Sequence, residues 1–287
     1  MASRRLATTR GCAIYLLCSF WGGAAPLAAH GPIHEQIARL TQRIQEEPHD
    51  ASLYLRRGEL HGLHEDWGAA LSDFDKATEL LPTLTAVDLA RGKTLLRSRQ
   101  FQQAREALDR YITRHRDHPE AFLTRAQVLL ELGDAAASAR DYGRAIAELE
   151  GMEQSKPEHY LEWSRAFAEV GDHGQALRAL DQGIARLGPI VSLQLPAIDL
   201  ELTRGQYDAA LARLETVSEQ SPRVEPWLVR RGEILEQAGR LTEALCIYEE
   251  ALAGLEPLTT SRMAELESKV RASLARLRLH FASECKP

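Results

Sequence analysis

The sequence predicts an all-α solenoid, built from about six antiparallel helix pairs stacked along one axis, with a single covering helix at each end. Three observations predict it. Small residues recur at Gly58, Gly92, Ala126, Ser164 and Gly232, with Ile198 filling the remaining place, at intervals of 34, 34, 38, 34 and 34 residues. Twelve residues after each stands a second small residue: Ala70, Ala104, Ser138, Ala176, Ala210 and Ala244. Four residues later comes a larger one, Phe74, Leu108, Tyr142, Leu180, Leu214 or Tyr248. A fixed period of this size marks units that cannot bury an apolar face alone and must stack to do so.

Each position in the period has a packing reason. A small residue on the first helix of a pair (helix A) facing one on the second (helix B) lets the two axes approach, and the larger residue one turn further fills the space. Gly133, Gly171, Gly205 and Gly239 fall between A and B, where a helix end favours left-handed backbone. Pro48, Pro82 and Pro222 fall where helix B stops.

In chain order, residues 1–29 read as a secretory signal peptide: Arg4, Arg5 and Arg10, an apolar stretch from Gly11 to Trp21, then small residues up to Ala29. Residues 30–50 hold an amphipathic capping helix with Ile37, Leu40 and Ile44 on one face. Six repeats follow at 51–84, 85–118, 119–156, 157–190, 191–224 and 225–257. The third is four residues longer, which predicts about one extra turn on its helix B. Ile198 and Pro196 in the fifth predict a helix A that starts late or bends, with Pro196 in its first turn. Residues 258–287 form a C-terminal capping helix and tail, with Met263, Leu266, Val270, Leu274, Leu277 and Phe281 at helical spacing. That seam covers the flank of the sixth repeat or, alternatively, forms a dimeric coiled coil.

This register resembles the tetratricopeptide repeat, in the manner of exported bacterial members, over residues 51–257. The resemblance implies a right-handed superhelix and a protein-binding concave wall lined by helix A. Its fifth position maps to Leu55, Leu89, Leu123, Leu161, Leu195 and Val229, and its ninth to Glu59, Lys93, Gln127, Arg165, Asp199 and Glu233. An apolar ladder beside a mixed-charge row suits a peptide or amphipathic helix, unless the ladder is consumed in packing between helices. The chaperone-type carboxylate clamp of some members needs Lys or Arg at the fifth position and Asn at the ninth, which this chain lacks. Arg57, Arg91, Arg125 and Arg231 precede the small helix A residue and are expected to reach acids on helix B such as Asp73, Asp109, Asp141 or Glu249.

Charge and motifs narrow the function further. Removing the leader takes away three arginines, so 35 − 3 = 32 basic residues face 41 acidic ones, a formal charge of −9. A chain so acidic is a poor ligand for nucleic acid. No run of about 18 apolar residues suits a bilayer span, so no stable membrane anchor is expected after cleavage. No phosphate loop, nucleophile elbow, His-Glu-x-x-His or paired zinc-spaced cysteines occur, and neither an enzyme nor a cofactor is expected.

The expected function is therefore an exported scaffold or adaptor, periplasmic or secreted, binding a protein or peptide along the concave wall. The alternative is copper handling by His30 and His34, with His30 supplying an amine and an imidazole if cleavage follows Ala29. Cys246 and Cys285 form a candidate disulfide.

Overall fold

The computed structural model describes residues 31–150, 155–255 and 261–284. The expected leader at 1–29, His30 and Cys285 lie outside them. Among the described residues the chain is entirely helical between its turns. α1 (Gly31–Glu46) comes first. Six antiparallel pairs follow: α2 (Ala51–Leu63) with α3 (Trp67–Leu80), α4 (Ala86–Arg97) with α5 (Phe101–Arg114), and α6 (Pro119–Glu131) with α7 (Ala135–Glu150). The next are α8 (Pro157–Glu169) with α9 (His173–Leu187), α10 (Val191–Thr203) with α11 (Tyr207–Glu219), and α12 (Glu225–Gln237) with α13 (Leu241–Leu255). α14 (Ser261–Glu284) closes the series.

The small residues act as the period requires. A Cβ on Gly58 would stand 2.7 Å from Phe74 Cε1, one on Gly92 2.6 Å from Leu108 Cγ, and one on Gly232 2.5 Å from Tyr248 Cε1. These are contacts no real side chain makes, so the aromatic or leucine of helix B occupies the space a side chain on helix A would need. Phe74, Leu108, Tyr142, Leu180 and Tyr248 are all buried as a result. Burial raises the Tyr248 phenol to about 12.

The turns between A and B close through left-handed backbone. Gly133, Gly171, Gly205 and Gly239 have φ of +80°, +77°, +70° and +74°. In the first two repeats Glu65 and Arg99 take the same conformation, at +65° and +61°, without the freedom glycine has there. Helix B is then capped where an Asp precedes it: Asp66, Asp134 and Asp172 accept from the backbone N–H groups of Ala69, Ala137 and Gln175 at 3.1, 3.1 and 2.9 Å.

Three sequence expectations change. α10 starts at Val191, so Pro196 is its sixth residue and lies inside the helix. Ser192, whose carbonyl loses its partner, is exposed, so water can replace the missing bond. α7 is already two residues longer than α3 and α5 at Glu150, where the described range stops, so the rest of the expected extra turn lies outside the described residues. Arg91 pairs with Asp75 of the preceding helix B at 2.8 Å, and Glu249 with Arg278 of α14 at 2.8 Å, because stacked repeats bring those partners nearer. Arg57 does meet Asp73, and Arg125 meets both Asp141 and Asp109.

The coiled-coil alternative for the last helix is the third. Met263, Val270, Leu274 and Leu277 are buried in one cluster with Val229, Leu235 and Tyr248, so the seam is already covered within the chain. α14 packs on α13 and touches α12, the neighbours a seventh helix A would have.

Candidate binding groove

α2, α4, α6, α8 and α10 touch in succession, forming one wall of first helices. Four cavities run along it. The first, of about 450 Å³, lies between α1 and α2 over Leu40, Leu60 and Leu63. A second of about 480 Å³ spans α2, α4 and α6, sharing Glu59 and Leu63 with the first. The third, about 820 Å³, lies between α6 and α8 and shares Glu120, Thr124 and Gln127 with the second. About 400 Å³ remains between α8 and α10.

The ninth-position row divides along this wall. Glu59, Lys93 and Gln127 line the second cavity, and Arg165 and Asp199 the fourth. Lys93 Nζ lies 2.5 Å from Glu120 Oε1, tying α4 to α6 across the cavity. Burial pushes the Glu59 carboxyl above its ordinary pKa, against the opposing pull of Lys93 and Arg56. Toward the C-terminal end the row is used inside the chain: Asp199 bonds Arg230 at 2.7 Å, and Glu233 pairs with Arg230 and with Lys269 of α14.

The fifth-position ladder is mostly packing. Leu55 and Leu89 are half-buried against core clusters and line none of these cavities. Leu123 and Leu161 divide their surface between core and cavity. Leu195 is exposed, whereas Val229 is 2% exposed and belongs to the cluster that α14 completes. The ladder therefore does not form a continuous open stripe.

Other residues supply the open apolar surface. Leu63, 57% exposed, and Leu96 and Arg97 line the second cavity one turn beyond the ninth position. They occupy the twelfth and thirteenth repeat positions, so the register that gave the ninth row could have found them. Arg39, Leu40 and Arg43 come from α1, which carries no such register.

The histidines are arranged differently from their sequence order. His34 on α1 meets His64 at the end of α2, with ring centroids 4.3 Å apart. His61 Nδ1 lies 3.7 Å from Asp66 Oδ2. Among the described residues, no three His, Cys, Asp or Glu side chains are grouped to hold a metal ion. Cys246 is exposed on α13, and its expected partner lies outside the described residues. No helix among the described residues is long and apolar enough to cross a membrane.

Comparison with known proteins agrees with this geometry. The tetratricopeptide repeat family model matches residues 89–152 and 195–257. No curated protein matches the sequence. Among solved structures, the C-terminal part of a TPR repeat-containing protein from Cytophaga hutchinsonii is similar at a TM-score of 0.64 and 14% identity, over 83% of this chain and 95% of that one. A tetratricopeptide repeat protein from Parabacteroides merdae is similar at 0.52 and 17%, over 84% and 93%. MamA from Desulfovibrio magneticus is similar at 0.50 and 16%, over 55% and 86%. At these identities the likeness is one of fold.

Proposed function

Because this chain is a tetratricopeptide-repeat protein, we propose that it is a scaffold without chemistry of its own, binding a polypeptide segment along the wall of α2, α4, α6, α8 and α10. One observation carries the reading: the four cavities follow one another along that wall, and the first three share lining residues. Over the first three cavities a bound segment can thus touch leucines below and charges beside it without a break. The test uses the chain from residue 30 onward as bait in an envelope extract, compared with Leu63→Glu and the bulky, uncharged Gln127→Trp. Both residues are exposed, so the fold should survive substitution. A partner captured by the wild type and lost by both variants supports the groove; a partner retained by both overturns it.

Export is part of the same proposal and rests on the basic, apolar and small-residue order of residues 1–29. Fractionation and N-terminal sequencing decide it, and an intact Met1 on the cytoplasmic protein would exclude it.

Copper handling has one favourable observation, the approach of His34 to His64. Titration with Cu²⁺ should then show binding lost in both His34→Ala and His64→Ala. Binding no tighter than that of a histidine-free control ends this reading.

A further inference from the structure

We infer that the N-terminal half of the groove, from α1 to α6, accepts an acidic polypeptide segment anchored by apolar side chains. This deepens the groove reading and rests on it. The two joined cavities are lined by five basic residues, Arg39, Arg43, Arg56, Lys93 and Arg97, and by two acids, Glu59 and Glu120. The lining residues balance at 5 − 2 = +3, and at 5 − 4 = +1 when Glu35 and Glu47, the partners of Arg39 and Arg43, are counted, in a chain whose formal charge is −6. A positive concavity on an acidic protein is a directed field that repels most of the protein's own surface and attracts an anion.

The charges at the mouth are open to exchange. Arg39 and Arg43 are 70% and 51% exposed, and their partners Glu35 on α1 and Glu47 just past its end are solvated neighbours one turn away, at 2.5 and 3.9 Å. Pairs of this kind hold weakly in water and yield readily to a better-placed carboxylate. Lys93 and Glu120, by contrast, satisfy each other. The arginines of α1 and α2, with Arg97 of α4, are therefore the cations available to a ligand.

The floor selects the class of anion. Leu40, Leu60, Leu63 and Leu96 lie beneath those arginines, and Leu63 keeps more than half of its surface uncovered within the concavity. Covering leucine is favourable for an apolar side chain and useless to a phosphate backbone, so a polypeptide fits better than a nucleic acid. The other end lacks this balance, since the fourth cavity carries Arg165 and Asp199 together. Charge thus favours the α1–α6 end as the seat of an acidic stretch.

A random dodecapeptide phage library panned on the full chain is the probe, followed by anisotropy on labelled copies of the enriched sequences. Enriched peptides should be net negative with Leu, Ile, Phe or Trp. Their affinity should fall about tenfold or more in Arg39→Glu/Arg43→Glu/Arg56→Glu and at high salt. Arg165→Glu should leave the affinity unchanged. Neutral or basic consensus peptides, or binding that survives the triple reversal, overturn the inference. If such binding is still lost in Gln127→Trp, the groove reading stands while this one falls. If peptides bind and survive every groove variant, both fall. Equal binding of an oligothymidylate, lost in the same triple variant, overturns the polypeptide class. The milder Arg39→Gln/Arg43→Gln/Arg56→Gln gives a second measurement should the reversal disturb folding.

Discussion

Arg125 grips Asp141 with two parallel hydrogen bonds, Nε to Oδ2 at 2.7 Å and Nη2 to Oδ1 at 2.8 Å, joining α6 to α7 within one repeat. Its remaining nitrogen, Nη1, reaches Asp109 of α5 at 2.8 Å. One guanidinium thereby holds its own helix pair together and fastens it to the pair before. The two acids differ in exposure, 11% against 44% for their side chains. Asp141→Ala should cost about 2–3 kcal/mol, since it leaves a partly buried guanidinium without its fork. Asp109→Ala should cost about 0.2–1 kcal/mol. Urea titrations followed by circular dichroism would measure both, and equal losses would contradict the geometry.

Gly92→Ala should destabilise by about 1–3 kcal/mol, although alanine is the better helix former, because its Cβ would collide with Leu108 in a filled core. Gly68, with nothing within 4 Å of its virtual Cβ, is the control. Gly68→Ala should stabilise by about 0.5–1 kcal/mol. The opposite signs are the test, read from the same urea curves.

Arg99→Gly should raise stability by about 1 kcal/mol, since the turn holds a non-glycine residue at φ +61° where later repeats use glycine. Glu65→Gly should act in the same direction. Thermal melts of the two variants and of Gly133→Ala, which should fall, would check the common cause.

Burial lowers the pKa of His159, at the mouth of the third cavity, below its ordinary value of about 6.5, with Lys156 adding to the effect. The folded state thus resists a proton that the unfolded chain accepts. The contribution of this group to stability is complete above the unfolded pKa and declines as the pH falls toward the folded one. The melting temperature should therefore drop between neutrality and about pH 5, and drop less in His159→Gln. Parallel melts across that range would show it, and identical pH profiles would remove His159 as the cause.

Much of the fold was legible because its contacts are short in sequence. Gly58 meets Phe74 and Arg57 meets Asp73, each sixteen residues apart, so one repeat contains both partners. The groove was less legible. Glu59, Lys93 and Gln127 follow the register onto an open face, but Val229 holds the same position as Leu195 and is sealed by the cluster α14 completes. Position in a repeat does not reveal what the next repeat covers. Pro196 misled for a related reason: its place in the helix depends on where α10 begins, which is directly after Ile190 in extended backbone at φ −68° and ψ 132°.

The sequence by itself determined the helix pairs, their period, their turns and the small-to-large fit inside each pair, because these depend on residues within one or two turns of a helix or within a single hairpin. Tertiary structure alone decided which row stays open, that Arg91 takes Asp75, that His34 lies against His64, and that α14 covers its own seam. Those outcomes depend on how one repeat is placed against the next, a rotation that a period of residues does not encode.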